Sequence, residues 1–194
     1  MDFYDVVKNR KSVRSYRPDK VPGDVLLRIM EAARLAPSWA NKQCWRYVVV
    51  DDPEIISRIA QPHVVGFGAP VMVVLCADPA QSGQREGKDY YLVDAAISME
   101  HLVLAAAAEG LGTCWVAGRL EEAPIKRVLG IPDNLRVVAE TPLGYPAEGG
   151  LGGKIRDSVV RAAVAADSRK PMAEITFRNR YGVSLDATGP STEK

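Results

Sequence analysis

A chain of 194 residues is long enough to bury one sizeable core, and that length favours a single domain. With 47% hydrophobic and 25% charged residues, its composition excludes general disorder. Lys and Arg number 25 against 24 Asp and Glu, a net charge of +1, so no overall field draws it to nucleic acid or to an anionic membrane.

In chain order, Asp2 is placed to cap a short helix in which Phe3, Val6 and Val7 share a face. That helix delivers the segment "NRKSVRSY". Asp24 is expected to cap a second helix, with Leu26, Ile29, Met30 and Ala33 on one side and Pro37 as its stop. "WRYVVVDD" reads as a strand, and Pro53 suits the first turn of the helix "PEIISRIA". "APVMVVLCA", residues 69–77, is continuously apolar and predicts a central strand covered on both faces. The polar stretch 81–89 predicts a loop. A helix follows from Tyr90 to about Glu109, with Gly110 as its C-cap. "GTCWVAG" and "LRVVAETPLG" predict two more strands, separated by the helix "EEAPIKRVLG" and the turn "IPDN".

From Gly149 the run "GGLGGK" predicts a linker. A helix over 159–166 and the segment "KPMAEITFRNRYG" come next. The expected organisation is one domain over residues 1–182 with a carboxy-terminal extension, and a flexible tail over 183–194. Alternating helices and strands predict an α/β or α+β sheet with helices packed on it. The amino terminus has no signal-like apolar run, and the apolar run 90–108 is interrupted by Asp94, Glu100 and His101, so no membrane partner is expected. Cys44, Cys76 and Cys114 are widely spaced and form no CxxC pair. That pattern predicts neither disulfides nor zinc and points to a reducing cytoplasm.

Three stretches carry polar chemistry. In "RKSVRSY", Arg10, Lys11 and Arg14 surround Ser12, which suits a phosphate, although a basic helix end solvated by water reads the same way. In "PSWANKQCW", Ser38, Asn41 and Gln43 suit a planar heterocycle with mixed edges, or simply hydrogen-bond their own loop. "GTCWVAG" ends on Ala117 and Gly118, where the backbone can approach a flat ligand or merely turn. His63 and His101 have no second ligand at metal spacing and read as structural, and no metal is expected. No catalytic triad order, P-loop or GxGxxG motif is visible.

Taken in order, "RKSVRSY", "IMEAARLAPSWANKQCWRYVVV", "DAAISMEHLVLAAAAEGLGTCWVAG", "VLGIP" and "LGYP", with a return at "KPMAEITFRNRYG", resemble the nitroreductase family of FMN-dependent NAD(P)H oxidoreductases. The resemblance spans Val6 to Pro146. It implies an α+β, three-layer fold with a mixed central sheet flanked by helices, in an intertwined homodimer with FMN at the subunit interface. Arg10, Lys11, Ser12 and Arg14 match the first FMN motif, with Arg10 and Ser12 near the phosphate and Arg14 towards the pyrimidine edge. Pro37, Ser38, Trp39 and Asn41 match the loop that reaches the flavin from the partner subunit. Ala117 and Gly118 match backbone positions facing the reactive ring edge, and Arg178 or Arg180 matches a carboxy-terminal cation at the phosphate.

The implied activity passes a hydride from NADH or NADPH through bound FMN to nitroaromatic, quinone or related acceptors in ping-pong fashion, with no catalytic side chain. A specialised flavin or enoate reductase, or a dehalogenase-like member, is the alternative enzyme. A flavin-binding regulatory protein is the non-enzyme alternative. Three positions depart from the family pattern: Lys11 where Arg or His is frequent, Trp39 where smaller residues are frequent, and Cys44 in place of a common proline.

Overall fold

The computed structural model describes residues 2–60, 68–118, 120–147 and 168–185. They belong to two compact units, Met1–Lys154 and Ile155–Lys194. The glycine-rich run 149–154, the helix expected over 159–166, the tail from 186 and His63 lie outside the described residues.

The first unit is built on a four-stranded sheet. Its strands are β1 (Trp45–Val50), β2 (Val71–Ala77), β5 (Gly112–Thr113) and β6 (Arg136–Gly144), in the order β1-β2-β6-β5. All three ladders are antiparallel. Ser12 adds a parallel bridge to Thr113 at the β5 edge, which makes the sheet mixed there.

Every residue of β2 is buried, and successive side chains enter opposite layers because a strand alternates its faces. Val71, Val73, Leu75 and Ala77 join α2 (Gly23–Arg34) and α4 (Tyr90–Ala108) on one side. Met72, Val74 and Cys76 join α3 (Pro53–Ile59) and α5 (Glu122–Leu129) on the other. This is why 69–77 carries no polar residue. The resulting layers, helices on each side of a sheet, are those expected of the α+β class.

Local chemistry explains most boundaries. Asp2 accepts from the Tyr4 amide at 2.9 Å and opens α1 (Phe3–Asn9). Asp52 caps α3 by accepting from the Glu54 and Ile55 amides at 2.8 and 3.2 Å, with Pro53 in the first turn. In α2 the expected cap is wrong: Pro22 is the N-cap, and Asp24 lies in the first turn, where Arg28 one turn on donates to it at 2.8 Å. A carboxylate is as well placed there, against the positive end of the helix dipole. Helix α4 ends as expected at Gly110, whose φ of 77° is left-handed. The Gly110 and Leu111 amides donate to Ala107 and Ala106 carbonyls at 3.1 and 2.8 Å, a Schellman closure.

Two expectations need trimming. The stretch 81–89 is not all loop: Gln84–Arg85 (β3) pairs with Lys88–Asp89 (β4) as a small hairpin. "GTCWVAG" is a strand only at Gly112–Thr113, after which Val116 makes an isolated bridge to Glu140. Helix α4 is long and apolar enough to cross a membrane by length and composition, but Asp94, Ser98, Met99, Leu102 and Ala106 are buried in its own unit. It is the core helix.

In the second unit, α6 (Met172–Ile175) precedes a turn in which Phe177 packs on Tyr181 at 4.5 Å between ring centroids. The Arg178 guanidinium donates to the Leu185 carbonyl at 3.0 Å.

Leu102 is wholly buried in α4 against β2 and α2. Leu102→Ala is expected to cost about 2–5 kcal/mol, the range for emptying a core leucine site, read as a lower midpoint in denaturant with unchanged slope.

Candidate functional site

Helix α1 stops at Arg10, which turns to an extended conformation while its amide still donates to the Val6 carbonyl at 2.9 Å. The chain then lies along β5: Ser12 bridges Thr113, and the Val13 amide donates to the Thr113 carbonyl at 2.8 Å. This approach needs a glycine at 112, because a Cβ there would sit 2.6 Å from the Val13 side chain. The sequence at 10–13 and the glycines after α4 are thereby one structure.

They enclose a cleft of about 200 Å³ lined by Val6, Asn9, Arg10, Lys11, Gly110 and Thr113, among others. Two cations over a glycine-bearing backbone suit a phosphoryl group, to which a guanidinium can donate in parallel pairs. The cleft is smaller than the roughly 300–1,000 Å³ usual for a whole small-molecule ligand. Arg14, half-buried, follows on the same segment. Its charge opposes the shift of the buried Tyr16 phenol, which burial, and secondarily Cys114, push far above its usual range. Tyr16 stays a donor, to the Val13 carbonyl at 2.7 Å.

The second group lies at the other end of α4. After α2 the chain makes a single 3-10 turn, Trp39–Asn41, and Ala40, Asn41 and Gln43 have φ of 47°, 55° and 50°. Left-handed backbone costs a non-glycine residue roughly 1–2 kcal/mol, less for asparagine, so this loop persists only if its surroundings hold it. The Ser38 Oγ accepts from the Gln43 amide at 2.9 Å, and Gln43 Nε2 donates to Asn41 Oδ1 at 3.1 Å. The self-bonded reading of these polar residues is therefore present. It leaves the side-chain amide hydrogens of Asn41 and the Ser38 hydroxyl hydrogen without a partner among the described residues.

What holds the loop is Asp94, only 1% exposed on α4. Its Oδ1 accepts from the Trp39 amide at 2.7 Å, and its Oδ2 accepts from Ser82 Oγ at 3.0 Å and from the Cys44 thiol at 3.7 Å. Burial, and then the Asp94 carboxylate, push the Cys44 thiol up to about 11, so it is protonated and able to donate at neutral pH. A buried carboxylate is costly unless several donors meet it; here they come from two separate segments. The Trp39 indole stacks on Tyr90 at 6.2 Å and 24°, and lies on Gly83, where a Cβ would be 2.7 Å from the ring.

The structure thus brings Arg10 and Lys11 together with Thr113, and Ser12 beside them. It does not bring Pro37, Ser38, Trp39 or Asn41 to that cleft within one chain. Ala107, which lines the cleft, is thirteen residues beyond Asp94 on α4, about 20 Å at the rise of an α-helix. Ala117 and Gly118 are exposed a few residues past Thr113, and a Cβ on Gly118 would meet nothing within 4 Å. Arg178 and Arg180 are exposed in the second unit. The sequence does not mark Asp94, Ser82 and Gly83 as site residues; its one signal is an acid, Asp94, within an apolar helix that carries one other acid, Glu100. Among the described residues, no group of three or more His, Cys, Asp or Glu could hold a metal.

Comparison with known proteins places the fold in a family. The nitroreductase family model matches residues 7–65 and 63–145. An NADH dehydrogenase of Thermus thermophilus is 32% identical over 186 residues, 77% of this chain and 89% of that protein. The crystal structure of a nitroreductase family protein from Clostridium novyi superposes with a TM-score of 0.72 at 37% identity, covering 95% of this chain and 97% of that one. An FMN-dependent nitroreductase from Clostridium difficile gives 0.68 at 28% identity, over 76% and 89%.

A methyl group at position 83 cannot coexist with the observed indole. Gly83→Ala is expected to displace Trp39 from Tyr90 and to cost about 1–3 kcal/mol, as overpacking does. Denaturant unfolding and a red-shifted emission, absent in a Trp39→Phe background, check it.

Proposed function

The chain belongs to the nitroreductase family, and from that premise we propose that it is an FMN-dependent NAD(P)H oxidoreductase acting as a homodimer on nitroaromatic, quinone or related acceptors. The observation that carries the reading is the cleft in which Arg10 and Lys11 meet the backbone at Gly110–Thr113. Its cations, its glycines and its edge position fit the phosphate end of FMN. When bound, FMN supplies two-electron exchange, first with a nicotinamide and then with the acceptor.

The residues of the chain do the rest. Arg10, Lys11 and Ser12 hold the phosphate. Arg14 places a cation at the pyrimidine edge, where negative charge develops on reduction. Ala117 and Gly118 offer backbone beside the ring, and open space at Gly118 leaves room for it. The separation of about 20 Å along α4 supports a loop supplied by a second copy: Pro37, Ser38, Trp39 and Asn41 would meet the flavin held by the partner's basic cleft. The exposure of Leu92 (45%) and Val93 (47%) on α4, with Phe3, Tyr4 and Val7 on α1, supports association. Ala106, in contrast, packs in the chain's own core. The phosphate contact expected of Arg178 or Arg180 and the cytoplasmic location belong to the same proposal; three buried free cysteines accord with the latter.

A specialised flavin or enoate reductase, or a dehalogenase-like enzyme, is the second reading. The pinned indole of Trp39 favours it, since a ring fixed by Gly83 and Tyr90 narrows what can approach. An anaerobic acceptor panel with both nicotinamides separates the two, and a sample that neither binds FMN nor bleaches with NADH or NADPH overturns both.

Arg10→Ala is expected to raise the FMN Kd about 10- to 100-fold, as loss of a charge-assisted contact does, with little change in bleaching at saturating FMN. Fluorescence titration checks it. A second expectation concerns the shared site. Arg10→Glu and Asn41→Trp chains, each inactive alone, are expected to regain about a quarter of wild-type activity when randomly mixed, because half the dimers then carry one intact site of two. Activity that stays absent after exchange is verified by mass removes Asn41 from the shared site.

A further inference from the structure

We propose that Asp94 is a positioning residue for the flavin: its carboxylate holds the strained loop 38–43 in the conformation that presents Ser38 and Asn41 to the cofactor, and ties the 82–90 turn to it. This rests on the reading in which that loop meets the flavin.

Three observations converge on it. The loop contains three left-handed residues that are not glycine, within four positions, so its shape is not what the free chain prefers. The bond from the Trp39 amide to Asp94 Oδ1, at 2.7 Å, anchors the start of this stretch to α4. It is charge-assisted and its acceptor is buried, which strengthens such a bond. The other oxygen is taken by Ser82 and Cys44, which flank the stretch from a different loop and from its own far end. Trp39, pinned by its amide below and by Gly83 and Tyr90 along its ring, is the piece common to both segments. One carboxylate therefore sets the position of the flavin-facing loop and of the hairpin together.

Cys44 belongs to the same arrangement. Its thiol contributes a donor to Oδ2 that a proline at this position could not, while its carbonyl accepts from the Asp78 amide at 3.0 Å and starts the β1–β2 register.

The test compares Asp94→Ala, Asp94→Asn and the control Asn41→Trp in the full-length protein. Amide hydrogen exchange is read in the FMN-free protein and FMN affinity by fluorescence titration. Asp94→Ala is expected to speed exchange across 39–43 and 82–84 while β2 and the rest of α4 keep their protection. FMN Kd is expected to rise about tenfold, the order of one lost charge-assisted bond. Asp94→Asn is expected to restore most of the affinity, because its carbonyl still accepts from Trp39 and its amide can donate to Ser82 Oγ. A purely structural role predicts lower global stability with unchanged FMN affinity and no rescue. If Asp94→Ala does not fold, Asp94→Ser takes its place. α4 already buries a serine one turn on, Ser98, bonded to the Ala33 carbonyl at 2.9 Å, and a serine at 94 is too short to reach Trp39. Unchanged affinity in the Asp94 variants with weakened affinity in Asn41→Trp overturns the role of Asp94 alone. Unchanged affinity in all of them overturns the loop assignment, and this proposal with it.

Discussion

Helix α4 is the constraint on which the site depends. Its 19 residues are buried along one side against β2, so it can neither bend nor shift without opening the larger of the two cores. Whatever is fastened to its two ends is held apart by its length. The basic cleft is fastened at the carboxy-terminal end, through the Schellman closure at Gly110 and the strand Gly112–Thr113. The loop 38–43 is fastened near the amino-terminal end through Asp94. In the proposed homodimer, a rod with one half of the flavin site at each end completes that site when a second rod is laid beside it.

The two fastenings differ in kind. At the cleft, backbone does the work: a parallel bridge from Ser12, an amide bond from Val13, and a glycine that lets the segments touch. Arg10 and Lys11 line the cleft beside it. At the loop, a single buried carboxylate does it, gathering donors from residues 39, 44 and 82. Burying that charge is costly unless donors meet it, and gathering three of them ties the loop to one arrangement. The strained backbone at Ala40, Asn41 and Gln43 is the arrangement it specifies.

Much of the fold was legible beforehand because it depends on short-range patterns. The uninterrupted apolar run of β2, the cap at Asp52 with Pro53 behind it, and Gly110 after α4 each announce themselves within a few residues. The cap of α2 is ambiguous in the sequence because Asp24 suits both the cap and the first turn, and only its bond to Arg28 distinguishes the two. The hairpin at 84–89 is not legible in the sequence because two-residue strands leave no periodicity. "GTCWVAG" suggests a longer strand than forms because apolar residues continue past Thr113 after the pairing has stopped.

The sequence by itself determined which residue types were available for a flavin: cations at 10, 11 and 14, polar groups at 38 and 41, small residues at 117 and 118, in an order that resembles one family. Composition and local spacing suffice for that, since they depend on covalent neighbours. Only the tertiary structure decided that these groups form two sets about 20 Å apart along α4, and that Asp94, Ser82 and Gly83 hold one of them in place. Those relations join residues up to fifty-five positions apart, through a buried charge whose partners no local pattern encodes.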